Sequence, residues 1–65
     1  MEEKRILDFI KSNNNGVSFI QIREKFIKKY IFETKEIKEE IRALDKILLN
    51  LRDENKIKFI SGKYY

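Results

Sequence analysis

The side chains best arranged for chemistry in this chain are cations. Lys38, Arg42 and Lys46 recur every four residues, so on a helix they line one face, where each like-charged pair costs a few tenths of a kcal/mol. A row of this kind is either a solvated surface or the seat of an anion. A phosphate backbone suits it, because each neutralised phosphate releases condensed counterion. The charges alone leave both readings open. Lys35 joins the row one turn earlier, and Lys58 and Lys63 add cations near the end of the chain, where lysines on an exposed strand also discourage edge-to-edge association.

Covalent chemistry finds little support. Ser12, Ser18, Ser61 and Thr34 are the hydroxyl candidates, and with no His and no Cys in the sequence none has a base to activate it. The same two absences remove disulfides and the zinc sites that depend on thiolate or imidazole. Glu36 and Glu40 share a helix face and superficially resemble a catalytic carboxylate pair, yet no second segment offers them a pocket. Two glycines, Gly16 and Gly62, cannot form a phosphate-cradling loop. The expectation is a protein that is not an enzyme, with no cofactor, no metal and no small-molecule ligand.

A chain of 65 residues makes one domain, 1–65, and folding buries only about 60% of the unfolded surface, so stability is modest or is helped by dimerisation. The net charge of +4 is compatible with a polyanion partner. No apolar run approaches the roughly 20 residues that span a bilayer, and Met-Glu-Glu-Lys-Arg lacks the apolar core of a secretory signal; a cytoplasmic location is expected. Heavy use of Ile and Lys is the codon signature of an AT-rich genome.

The elements that must position the cations follow from periodicity. Residues 2–12 place Ile6, Phe9 and Ile10 on one face, with Leu7 at its edge, and Asn13-Asn14-Asn15-Gly16 ends that helix through residues tolerant of left-handed backbone. Val17 is placed to contribute one or two backbone hydrogen bonds to the edge of a terminal hairpin. Ser18 opens a second helix by a reciprocal capping box with Gln21; its stripe is Phe19, Ile22, Phe26 and Tyr30, widened by Ile20, Ile27 and Ile31, with Arg23 laying its stem on the core and Lys28 and Lys29 on the polar face.

Residues 31–34 connect to a third helix capped by Thr34 and running to about Glu54, on which Ile37, Ile41, Leu44, Leu48 and Leu51 form the core stripe. Lys35, Lys38, Arg42 and Lys46 fall on its solvent side, Glu36, Glu39, Glu40 and Glu54 on the other flank, and Asp45 and Asp53 intrude on the basic side. The chain then closes on a hairpin with a Ser61-Gly62 turn, pairing Ile60 with Lys63, Phe59 with Tyr64 and Lys58 with Tyr65. Ile57, Phe59 and Tyr64 should face the third helix, and Lys58, Ile60, Lys63 and Tyr65 should face away.

This order of elements, ending in Leu51-x-x-Glu54-Asn55-Lys56-Ile57-x-Phe59-x-x-Gly62-Lys63-Tyr64-Tyr65, resembles the winged helix-turn-helix superfamily in its small prokaryotic, archaeal or viral members. The resemblance covers nearly the whole chain and implies an α+β fold of three helices with a short C-terminal β-hairpin wing. It implies double-stranded DNA as partner, sequence-specific or general, in a small transcriptional regulator whose third helix enters the major groove while the wing touches backbone. On that reading the DNA-binding residues are Thr34, Lys35, Lys38, Arg42, Lys46, Lys58 and Lys63, and a two-fold homodimer supplies the affinity. The segment between Phe26 and Ala43 is longer than the family's tight turn, and the third helix carries several acids. The alternative is a winged-helix protein–protein interaction module that leaves DNA untouched and turns its acidic flank to a basic partner.

Overall fold

A computed structural model of the chain describes residues 3–27 and 35–65. Three helices, α1 (Glu3–Lys11), α2 (Phe19–Phe26) and α3 (Lys35–Asp53), precede an antiparallel hairpin of β1 (Phe59–Ile60) and β2 (Lys63–Tyr64). The α+β order expected from the sequence is present.

α1 buries Ile6 and Ile10 and half-buries Leu7 and Phe9. The manner of its ending differs from expectation. None of the three asparagines takes left-handed backbone; only Gly16 does, at φ +80°. The helix instead stops on side chains, with Ser12 Oγ and Asn13 Nδ2 both donating to the Phe9 carbonyl, at 2.9 and 2.6 Å. Short polar groups of this type compete with the backbone for helix-end carbonyls.

α2 begins as its sequence requires. Ser18 has extended backbone, its Oγ accepts from Gln21 N–H at 3.2 Å, and its own N–H donates to Gln21 Oε1 at 2.8 Å. The end of α2 corrects the expected stripe. The helix stops at Phe26, and Ile27 turns extended (φ −117°, ψ 127°), its N–H still donating to the Arg23 carbonyl at 2.8 Å. Had the helix continued, Ile27 would lie about 140° around the axis from the buried Ile22 and face water. Unwinding brings it into the core, while Ile20 on the outer face remains 64% exposed. Phe9 and Phe26 meet edge to face at 5.7 Å and join α1 to α2. Tyr30, Lys28, Lys29 and the 31–34 connector with its Thr34 cap lie outside the described residues.

α3 buries Ile37, Leu44, Leu48 and Leu51, with Ile41 and Ile47 half-buried beside them. Its C-terminus is a Schellman turn. Asn55 takes φ 60°, its N–H donates to the Arg52 carbonyl at 3.0 Å, and the Lys56 N–H donates to the Leu51 carbonyl at 2.9 Å. That reversal delivers Ile57 to the core.

The hairpin has the expected register, Phe59 opposite Tyr64 and Ile60 opposite Lys63, extended by mutual bonds between Lys58 and Tyr65 at 2.9 and 2.8 Å. Ser61 (φ 52°) and Gly62 (φ 79°) are both left-handed, the type I′ geometry whose twist matches a two-residue hairpin. Val17 bridges Tyr64 through two backbone bonds, 2.9 and 2.7 Å, so β2 lies between Val17 and β1. The core gathers Ile6, Ile10, Val17, Ile22, Leu44 and Leu51 around these elements, and among the described residues it holds no charged side chain.

Two local bonds are directly testable by urea denaturation. Ser18→Ala should cost about 1 kcal/mol by removing the capping box. Ser61→Asn should stabilise, recovering part of the roughly 1–2 kcal/mol that left-handed backbone costs an ordinary residue; a lower midpoint for Ser61→Asn would contradict the turn geometry.

Candidate nucleic-acid interface

Helix periodicity distributes the charges of α3 around its axis. Measured from Leu44 at about 100° per residue, Lys38 falls near 120°, Arg42 near 160°, and Lys35 and Lys46 close to the side opposite the core. All four are exposed. Lys38 and Lys46 are separated by about 12 Å of helix rise. Lys35 opens the helix, at the end whose dipole disfavours a cation, so local helix energetics do not account for it. Among the described residues, none of Lys38, Arg42, Lys46, Lys58 or Lys63 is engaged in an ion pair. Thr34, the proposed cap, lies outside the described residues.

The hairpin docks on the side of α3 that carries Arg52 and Asp45. The Arg52 guanidinium sits 5.2 Å over the Phe59 ring, and Arg52 lies near 80° on the same side of Leu44 as Lys38. Phe59 in turn meets Tyr64 at 4.7 Å between ring centroids. Burial pushes the Tyr64 phenol up from its ordinary value, with Arg52 lowering it and Asp45 raising it; Asp45 falls near 100°, again on this flank. The other flank faces α1. Glu54 pairs with Lys56 at 2.9 Å, and these two gather with Glu3, Lys4 and Leu7 around a cleft of about 380 Å³. The Glu54 hydrogen bond and charge, with a smaller contribution from Glu3, raise the Lys56 ammonium above its ordinary value.

The hairpin itself departs from expectation in two respects. Phe59 shares a face with Tyr64, yet it is 44% exposed, because β1 is the open edge and its ring is covered by Arg52 and not by the core. Tyr65 does not stand free beside the lysines. Its ring lies against Gly16, where an added Cβ would come within 2.7 Å of Cζ. Lys58 and Lys63 are exposed as expected, on the opposite face of the hairpin from the buried Tyr64.

Arg52 is the residue that sequence reasoning missed. The available signal was its surroundings: Leu48, Leu49, Asn55 and Lys56 at i±3 and i±4 include no acid, so a cation there has no partner on its own helix. Arg23 is half-buried, consistent with a stem laid on the core. Among the described residues no group of three carboxylates could hold a metal ion, and no helix is long and apolar enough to cross a membrane.

Comparison with family models, with curated proteins and with solved structures finds no match.

The Tyr64 phenol provides a pH test. Its folded-state pKa is raised, so the neutral form is favoured by folding; the associated stability is complete below the ordinary tyrosine value near 10 and is lost as pH rises through the folded value. Parent and Tyr64→Phe should therefore differ in urea midpoint by an amount that changes between pH 9 and about pH 11. A pH-independent difference would contradict the burial of the phenol.

Proposed function

We propose that this chain is a small winged helix-turn-helix protein that binds double-stranded DNA and acts as a cytoplasmic transcriptional regulator, without catalysis. What supports the reading most is the exposed row of Lys38, Arg42 and Lys46 on the solvent side of α3, in which no member has an ion-pair partner among the described residues. The like-charge cost along that row is offset when phosphates replace solvent ions. The order Val17–β2–β1 agrees with a wing attached to the connection between the first two helices.

In this reading the row on α3 approaches the major groove. Lys35, Lys38 and Arg42 reach base edges or phosphates from the helix's first turns, and guanine is the base they suit. Lys58 and Lys63 hold backbone from the hairpin. A monomer with so few contacts gains useful affinity by two-fold dimerisation on a pseudo-palindromic site. Leu49 and Ile60, both exposed and apolar, are the dimer candidates among the described residues.

The second reading, a protein-interaction module, draws on the exposed Glu36, Glu39 and Glu40. The Lys56 pair weakens it, since Glu54 is already neutralised.

Fluorescence anisotropy with random duplex DNA separates the two. Binding should weaken steeply with salt, and Lys38→Ala should reduce the slope of log K against log salt by about 0.9. The variant with Lys38, Arg42 and Lys46 all changed to Glu should fold normally and lose binding. No anisotropy change for the parent at low salt would favour the protein-partner reading, and parental affinity in the triple variant would place the interface elsewhere.

A further inference from the structure

We infer that Arg52 is a phosphate contact at the seam between α3 and the hairpin, and that the Phe59 ring is its positioning residue. The inference rests on the DNA-binding reading and extends it to a residue outside the helical row.

The geometry is specific. Arg52 occupies the last turn of α3, its guanidinium sits over Phe59 at 5.2 Å, and the residue remains exposed. Contact with an aromatic face restrains the planar group but uses none of its five N–H donors, which lie in the guanidinium plane and match phosphate oxygens two at a time. Among the described residues Arg52 is in no ion pair, and no acid stands three or four positions away on its helix. Asp45, two turns back, acts together with Arg52 on the Tyr64 phenol, in the opposite sense.

Phe59 is otherwise hard to account for. It is a large apolar side chain at an open strand edge, 44% exposed, with Tyr64 on one side and Arg52 above it. The buried contacts of this segment come from Ile57 and Tyr64. What the ring adds is restraint on a long cation that would otherwise sample many rotamers. Around the helix axis Lys38 falls about 40° and Arg42 about 80° from Arg52, with Lys46 farther round at about 120°, so a duplex lying along the Lys38–Arg42 side of α3 has Arg52 at its edge.

The test is salt-dependent anisotropy with random duplex DNA on the parent, Lys38→Ala, Arg52→Ala, Arg52→Gln and Phe59→Leu, each checked for folding by circular dichroism and thermal melting. Arg52→Ala and Arg52→Gln should each lower the slope by about 0.9 and weaken binding roughly five- to tenfold near 0.1 M salt. Phe59→Leu keeps the charge and should weaken binding a few-fold with the slope unchanged, and combined with Arg52→Gln it should weaken binding no further than Arg52→Gln alone, whereas loosening of the hairpin would add to that loss. Arg52→Gln retains most of the stem and serves should the alanine variant unfold. If both Arg52 variants keep the parental slope and affinity while Lys38→Ala loses slope, the inference is overturned and the DNA reading stands. If the parent itself does not bind at low salt, both fall.

Discussion

Two backbone hydrogen bonds between Val17 and Tyr64, at 2.9 and 2.7 Å, determine where the hairpin can lie. A two-residue-per-strand hairpin has no independent stability in water. Here its inner strand is tied to the turn that follows α1, and the Tyr64 side chain is buried against the core. The bridge also makes β2 central and β1 the open edge, and from this follow the exposure of Phe59 and its contact with Arg52. Gly16 belongs to the same arrangement, since its left-handed backbone and missing Cβ let the Tyr65 ring close over the bridge.

Around this frame the molecule separates its charges. The core contains no charged side chain among the described residues, so the cations and acids of α3 are free to serve the surface. The acidic side near the end of α3 meets α1 and is partly neutralised by Lys56. The hairpin occupies the other side, beside Arg52 and Asp45.

Legibility in the sequence follows the range of the interactions. Ser18 and Gln21 are three residues apart, and their reciprocal bonds are set by local geometry; the Ser61-Gly62 turn imposes the register of Phe59 with Tyr64. The core stripe of α3 is equally local, a matter of period. The end of α2 was not legible, because nothing in the residues near Ile27 announces a break. Ile27 leaves the helix because the core, assembled from distant elements, has a place for it. Backbone tolerance does not explain the asparagines after α1, since Asn13 acts through its side chain. Asn55 closes α3 by the left-handed route instead. At the candidate site, exposure of Lys38, Arg42, Lys46, Lys58 and Lys63 could be anticipated from the helix and strand periods. The Arg52–Phe59 contact could not, since it depends on how a hairpin docks on a helix.

The exposed Phe59 shows how small size shapes such a surface. A domain of 65 residues buries a limited fraction of its apolar area, and side chains at the periphery must both cover the core and meet the solvent or a partner. An arginine suits this dual position because its stem and planar face shield apolar atoms while its donors stay available. A lysine would place a compact, strongly hydrated charge there and cover less of the ring. The seam between α3 and the hairpin is thus the place where packing and charge presentation are least separable, and a substitution there acts on the docking of the hairpin as well as on the field it presents.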